Sequence, residues 1–170
     1  PALLRAYSQN LLPEEFAIVG FARRDYDDAI FRGMMAEAVK KFSRVPVDDE
    51  TVQRFVEHIR YHKGDISTAD AYKELQDKFR DVETYPENRI FYLSIIPSLF
   101  ETAVASLKQS GMIAEPHTDH WTRVVIEKQF GKDLESAKAL NDELLRHLDE
   151  SKIYRIDHYL GKEAVQHILS

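Results

Sequence analysis

The chain has 170 residues, of which 44% are hydrophobic and 31% charged, and its net charge is −6. This composition is typical of one soluble globular domain. The lack of a long apolar run excludes a helical membrane span, and the lack of a Lys/Arg stripe argues against nucleic acid as a partner. Cysteine is absent, which excludes disulfides and thiolate metal sites. No secretion leader opens the chain, so we expect a cytoplasmic protein. Because the basic residues are scattered among acidic ones, we expect a small anionic ligand.

Short β-rich runs alternate with segments of helical periodicity, which predicts an α/β domain with a parallel sheet. Because these runs are almost continuously apolar, we expect both faces of the sheet to be buried. The expected strands are Phe16–Ala22, His58–His62, Arg89–Ile95, Arg123–Glu127 and Ile153–Ile156. The expected helices between them are Asp27–Phe42, Thr68–Arg80, a segment from a Ser98–Glu101 capping box to Gly111, and Leu134–Leu148 with Asp133 as its cap.

The helix after the first strand carries an apolar stripe. Its members recur at helical spacing, so we expect them to face the core and give them no functional role. The stripe consists of Ile30, Phe31, Met34, Ala38 and Phe42.

Ligands of parallel α/β sheets bind beyond the carboxyl ends of the strands, so the residues that follow each strand are the candidates for a site. The first strand ends in Arg23 and Arg24. An acid near such a position binds the ribose 2′-hydroxyl of NAD, whereas an arginine pairs with the 2′-phosphate of NADP. Taken alone, the two arginines are weak evidence for NADP, and an ordinary pair of surface arginines is the alternative that stays open here.

The second and fourth strands end in residues with a similar ambiguity. Gly64 is followed by Asp65 and Ile66, where a short acid with an apolar neighbour suits the edge of an adenine or simply caps the next helix. The fourth strand ends in Lys128, which either binds an anion in the cleft or extends to solvent.

The fifth strand ends in the densest cluster of chemical groups, the segment YRIDHYLGKE from Tyr154 to Glu163. His158, Tyr159 and Lys162 are donors that suit a phosphate monoester, especially at the start of a helix. Asp157 is suited to orient and polarise a histidine from elsewhere. A charged surface turn is the alternative.

A metal site is not predicted. His117, Asp119 and His120 lie in a polar loop after Pro116 and lack a third ligand at useful spacing. His58 and His62 flank a strand and are interpreted as packing or surface residues.

The segment YRIDHYLGKE resembles the most distinctive motif of the glucose-6-phosphate dehydrogenase family. The segments FAIVGFAR, GDI, IFYLSIIPSLF and RVVIEKQFGKDLESA are similar to that family in the same order, so the resemblance spans essentially the whole chain. It implies a Rossmann-like, doubly wound parallel sheet. It also implies oxidation of glucose 6-phosphate at C1 to 6-phosphogluconolactone, with hydride passed to NADP, at the entry of the pentose phosphate pathway. We expect the parent enzyme to be a homo-oligomer.

The resemblance also implies roles for individual residues. For the cofactor, Arg23 would bind the NADP 2′-phosphate, and Asp65 and Ile66 would lie beside the adenine. Lys128 would contact both cofactor and sugar. The substrate phosphate would be bound by His158, Tyr159 and Lys162, and Asp157 would be the partner of the catalytic histidine.

Three departures from the family pattern accompany the resemblance. The family's first strand and its Gly-rich phosphate loop would precede Pro1, and the catalytic histidine with the α+β substrate domain would follow Ser170. Gln129 stands where the family usually has proline, which leaves the placement of Lys128 open. We therefore expect residues 1–156 to be a partial NADP-binding domain without its first strand, and residues 157–170 to begin the substrate-binding segment. Such a chain is expected to be inactive alone.

Two alternatives remain at this point. A non-catalytic fragment that binds nucleotides or phosphosugars would explain the missing parts. Another sugar dehydrogenase of related architecture is disfavoured by the Tyr154–Glu163 segment.

Overall fold

The computed structural model describes residues 1–43, 46–80, 86–127 and 134–156. The chain divides into two compact units, the first made of Pro1–Ile66 and Lys73–Pro86 and the second of Ser67–Tyr72 and Glu87–Ser170. The described helices are α1 (Ala2–Ser8), α2 (Asp28–Phe42), α3 (Asp49–Glu57), α4 (Ala69–Arg80), α5 (Phe100–Gln109) and α6 (Leu134–His147). The described strands are β1 (Ile18–Ala22), β2 (Ile59–Lys63), β3 (Arg89–Leu93), β4 (Thr122–Glu127) and β5 (Ile153–Ile156).

All the described strands pair in parallel. In the first unit β1 pairs with β2, and in the second unit β3, β4 and β5 form a sheet in that order. The predicted α/β class with parallel strands is therefore confirmed, and each strand lies within two residues of its expected ends. No ladder among the described strands joins β1 to β3.

The second unit's sheet is buried on one face, not on both as the sequence predicted. Thr122, Val124 and Ile126 of β4 are buried, whereas Ile90 and Tyr92 on the neighbouring strand are exposed. Residues alternate between the two faces of a strand. Apolar residues therefore occupy both faces, but helices among the described residues cover only one of them.

Helix α2 turns only part of its predicted apolar stripe to the core. Phe31 packs against the core cluster as expected. Ile30, Met34 and Phe42 are 51%, 42% and 62% exposed, while Ala36 and Val39 are buried. Apolar residues occur on almost every side of this helix, so periodicity alone could not select the buried side. The beginning of the helix was predicted correctly, because the carboxylate of Asp27 accepts a hydrogen bond from the backbone N–H of Ile30 at 2.7 Å.

Helix α3 was not predicted, although it supplies much of the first unit's core. Its residues Val52, Phe55 and Val56 are buried in one cluster with residues of α1, α2 and β2. Asp48 caps the helix by accepting hydrogen bonds from the N–H and hydroxyl of Thr51, each at 2.8 Å. These bonds lower the pKa of Asp48. The sequence signal was this cap followed by apolar residues at helical spacing.

The predicted capping box before α5 is wrong. Ser98 lies inside a 3₁₀ turn, Pro97–Leu99, and α5 begins at Phe100 with Leu99 at its N-cap and no capping side chain. Proline suits a first helical turn because its missing N–H would lack a partner there in any case. The turn therefore begins earlier than the Ser98–Glu101 spacing suggests. The expected cap of α6, Asp133, lies outside the described residues.

Gly20, in the middle of β1, leaves room for the ring of Phe31 from α2. A Cβ at this position would lie 2.6 Å from Cζ and 2.7 Å from Cε1 of Phe31. The Phe31 ring in turn packs on Tyr61, with the ring centroids 4.9 Å apart. An alanine at this position must therefore displace a ring that is already packed.

We predict that Gly20→Ala lowers the free energy of unfolding by about 1–3 kcal/mol, the usual cost of overpacking. Gly33→Ala is the matched control, because Gly33 lies inside α2 and a Cβ there meets no heavy atom within 4 Å. This control should stabilise the protein by about 0.5–1 kcal/mol, since alanine is the better helix former. Urea unfolding of both variants provides the measurement, and equal stability of the two would contradict the packing argument.

His62 in β2 makes the stability of the first unit depend on pH. Its Nε2 atom is buried and has no hydrogen-bond partner among the described residues. Burial lowers the pKa of His62 below 6.5, the charge of Lys78 lowers it further, and Glu74 opposes the shift. The unfolded chain therefore takes up a proton more readily than the folded one.

We predict that the free energy of unfolding falls as pH drops through the unfolded pKa of this histidine, about 6.5, towards its lower folded value. His62→Asn should flatten the pH dependence in that window. His117→Asn, in an exposed loop at a positive φ that asparagine tolerates, should leave it unchanged. Chemical denaturation at a series of pH values measures this, and an unaltered slope in His62→Asn would contradict it.

Candidate functional site

The first part of the candidate site is the turn after β1. β1 ends at Ala22, and the side chains of Arg23 and Arg24 that follow are exposed. The guanidinium of Arg24 donates to the hydroxyl of Tyr26 at 3.1 Å, and this bond raises the pKa of Arg24. Within residues 1–43, 46–80, 86–127 and 134–156, no hydrogen bond or ion pair involves the guanidinium of Arg23. Arg23 is therefore the arginine of this turn that is available to an anion.

Lys63 is a cation of this turn that the sequence did not single out. It is the last residue of β2 and lies opposite Ala22 in the register. Its ammonium is 3.0 Å from the carboxylate of Asp25. Both side chains are largely exposed, so the pair adds little to stability. The pair matters electrostatically, because the ammonium of Lys63 offsets the negative charge of Asp25, which lies two residues after Arg23.

Asp65 and Ile66 lie at the same edge of the first unit's sheet as Arg23. The N–H of Gly64 donates to the carbonyl of Ala22 at 3.0 Å, which continues the β1–β2 ladder one residue past β2. Asp65 and Ile66 follow directly and are half-buried. The structure thus brings three of the predicted cofactor-binding residues to neighbouring strand ends. The roles assigned to them stay predictions.

The other predicted site residues, Lys128, Asp157, His158, Tyr159 and Lys162, lie outside the described residues, as does Gln129. The described strands end immediately before them. Glu127, the last residue of β4, is the register partner of Ile156, the last residue of β5. The two predicted segments therefore follow paired positions of adjacent strands.

Glu127 itself is engaged by a neighbouring strand. Its carboxylate accepts a hydrogen bond from the hydroxyl of Tyr92 on β3. This bond, helped by burial and by the negative charge of Glu127, raises the pKa of Tyr92 to about 12. The phenol therefore stays protonated at neutral pH. The carboxylate of Glu127, which directly precedes Lys128 in the sequence, is therefore hydrogen-bonded to Tyr92 of β3.

Neither a metal centre nor a membrane span is found among the described residues. They contain no group of three or more His, Cys, Asp or Glu side chains placed to hold a metal ion. In the loop considered above, His117 is exposed at a φ of 68°, and Nδ1 of His120 is 3.5 Å from a carboxylate oxygen of Glu87. None of the helices in these ranges is both long and apolar enough to cross a bilayer.

Parallel strands connected by helices, with charged residues after the carboxyl ends of the strands, are the architecture of dinucleotide-binding α/β domains. Residues 1–167 match the family model described as "Glucose-6-phosphate dehydrogenase, NAD binding domain". The chain belongs to this glucose-6-phosphate dehydrogenase family.

Curated relatives support the same family across kingdoms. The chain is 39% identical over 171 residues to glucose-6-phosphate 1-dehydrogenase of Bacillus subtilis, covering 99% of this chain and 33% of that protein. It is 39% identical to the chloroplastic enzyme of Nicotiana tabacum, covering 99% of this chain and 28% of the relative. The Leuconostoc mesenteroides enzyme is 35% identical, with 99% and 34% covered. The chain thus spans about a third of the length of these relatives.

Solved structures agree with the relatives. A glucose-6-phosphate dehydrogenase in complex with its substrate glucose-6-phosphate superposes with a TM-score of 0.80 at 34% identity, covering 99% of this chain and 35% of that chain. Glucose-6-phosphate 1-dehydrogenase from Mycobacterium avium superposes with a TM-score of 0.79 at 33% identity, with 97% and 33% covered.

Proposed function

We propose that this chain is the dinucleotide-binding part of an NADP-dependent enzyme that oxidises glucose 6-phosphate at C1 to 6-phosphogluconolactone. The observation that carries the proposal is the available guanidinium of Arg23 at the carboxyl end of β1. It occurs in a chain that matches the family over residues 1–167. The substrate follows from the solved relative in complex with glucose-6-phosphate.

The residues at the end of the first unit's sheet fit NADP better than NAD. A guanidinium pairs with a phosphate dianion through two hydrogen bonds, which a ribose hydroxyl cannot match. Asp25 would repel that phosphate, but its carboxylate is already paired with Lys63 at 3.0 Å. Asp65 and Ile66 follow the neighbouring strand, where they would lie beside the adenine. When bound, NADP would accept the hydride from C1 of the sugar.

The sugar would be bound by the segments after β4 and β5. Lys128 would contact both cofactor and substrate. His158, Tyr159 and Lys162 would hold the phosphate of glucose 6-phosphate, since imidazole, phenol and ammonium donors suit a phosphate monoester. Asp157 would orient the imidazole of a catalytic histidine supplied from beyond this chain, so that it can take the proton of the C1 hydroxyl.

A second candidate is a chain that binds nucleotide or phosphosugar without catalysis. The observation in its favour is that the chain spans about a third of the relatives' length. Titration with NADP and with glucose 6-phosphate, together with an assay for reduced cofactor, separates the two candidates. Turnover by the product of the full reading frame supports the enzyme. Binding without turnover by that product supports the second candidate.

We predict that Arg23→Ala weakens NADP binding by about ten- to a hundred-fold, which corresponds to about 1.5–3 kcal/mol for hydrogen bonds to a charged group. The affinity for NAD should change little, because NAD has no 2′-phosphate. Arg24→Ala is the matched control, since the Arg24 guanidinium is held by Tyr26 at 3.1 Å. Fluorescence titration of the product of the full reading frame provides the measurement. Equal losses for the two variants, or for NADP and NAD, would contradict the assignment.

We predict that Lys162→Ala weakens the binding of glucose 6-phosphate by about 1.5–3 kcal/mol and leaves the weaker binding of glucose unchanged. The reason is that the ammonium would contact only the phosphate. Lys108→Ala, in the last turn of α5, removes a lysine outside the predicted site and is the control. Steady-state kinetics with both sugars give the comparison. An unaltered preference for the phosphorylated sugar in Lys162→Ala would argue against this role.

A further inference from the structure

The turn that carries Arg23 is held by hydrogen bonds on both of its sides. On one side the carbonyl of Ala22 accepts from the N–H of Gly64 at 3.0 Å and lies 2.9 Å from the hydroxyl of Tyr61. On the other side the carbonyl of Arg24 accepts from the N–H of Tyr26 at 3.1 Å and lies 2.7 Å from the same hydroxyl. The hydroxyl of Tyr61 thus links two peptide carbonyls, one before Arg23 and one after Arg24.

Tyr61 is well placed to serve as a rigid support. It is 5% exposed, and its ring packs against those of Phe31 and Tyr26 at centroid distances of 4.9 and 5.6 Å. Its backbone N–H donates to the carboxylate of Asp28 at 2.7 Å, and its carbonyl accepts from the ammonium of Lys78 at 3.0 Å. Neither the ring nor the backbone is free to shift without breaking these contacts.

The hydroxyl also stays in the form that can donate. Burial raises the pKa of Tyr61, with a smaller contribution from Tyr26. A phenol carries one hydrogen, so the two carbonyls share it or receive it in turn. Each carbonyl oxygen has two lone pairs and can accept from its backbone N–H and from the hydroxyl as well, so the hydroxyl adds a bond that favours the turn geometry in which both carbonyls lie close to it.

We infer that Tyr61 is a positioning residue for phosphate recognition: its hydroxyl fixes the backbone on both sides of Arg23, so that the guanidinium is presented to the 2′-phosphate of the dinucleotide. This inference rests on the function proposed above. Binding then immobilises only the side chain of Arg23, because the backbone is ordered beforehand, and this smaller loss of entropy strengthens binding. Only a ligand with a 2′-phosphate uses Arg23, so Tyr61 contributes to the choice between NADP and NAD.

The test compares Tyr61→Phe, Arg23→Ala and the double variant in the product of the full reading frame. Tyr61→Phe removes one oxygen and keeps the packed ring. It should weaken NADP binding by about three- to ten-fold, the usual effect of losing one neutral hydrogen bond, and leave NAD binding within about two-fold. In turnover, KM for NADP should rise while kcat stays the same. In the Arg23→Ala background, Tyr61→Phe should have no further effect on NADP.

Tyr7→Phe is the matched control. It removes a hydroxyl from another aromatic cluster of the first unit, where Tyr7 packs on Phe16 and Phe55. The affinities of this variant for both dinucleotides should equal those of the parent. Should Tyr61→Phe unfold in a thermal melt, Tyr61→His, which keeps a ring with an N–H donor, takes its place. Its NADP preference should lie between the parent and Arg23→Ala.

Each outcome separates the inference from the function on which it rests. Equal weakening of NADP and NAD binding by Tyr61→Phe would mean that Tyr61 supports the fold only, and would overturn the inference. A parental NADP preference in Tyr61→Phe, alongside a lost preference in Arg23→Ala, would also overturn it and leave the proposed function standing. An unchanged preference in Arg23→Ala would reject the proposed NADP site itself.

Discussion

The candidate site depends first on the register between β1 and β2. The pairing sets Ala22 opposite Lys63, and the bond from Gly64 to Ala22 extends it to the ends of both strands. A slip of one residue would turn every side chain of β2 to the other face. Tyr61 would then leave the turn after β1, and the Gly-Asp segment would no longer follow the residue opposite Ala22. The register is therefore a condition for the whole arrangement of cations and carbonyls at this edge.

Two strands alone are a marginal sheet, so other contacts must fix that register. Helix α2 supplies them at the outer edge of β2, where unpaired backbone groups would otherwise face solvent. The carboxylate of Asp28 accepts from the N–H of Tyr61 at 2.7 Å, and the guanidinium of Arg32 donates to the carbonyl of Ile59 at 2.7 Å. The same helix carries Phe31, whose ring fills the space above Gly20. Packing and edge bonding therefore specify one register together.

Local signals predicted the strands and the residues after them, whereas interactions between distant segments escaped prediction. Arg23 and Asp65 follow apolar runs that end in charge or glycine, which is a local pattern. Tyr61 and Lys63 could not be identified in that way, because their partners lie 37 to 39 residues away and are brought together only by the register. The buried side of α2 was predicted only in part, at Phe31, for the same reason, since the sheet selects among several apolar sides of the helix.

Arg23 and Arg24 are equivalent in the sequence, and the structure distinguishes them by their neighbours. Tyr26 engages the guanidinium of Arg24, so an anion bound there would have to compete with an existing hydrogen bond. Lys63 pairs with Asp25, which offsets the negative charge that an incoming phosphate would meet. A net count of charges in this turn would predict only a modest attraction for anions. Because Arg24 and Lys63 already have partners in this turn, the attraction for an anion is concentrated at the guanidinium of Arg23. Such an arrangement suits the binding of a single phosphate group.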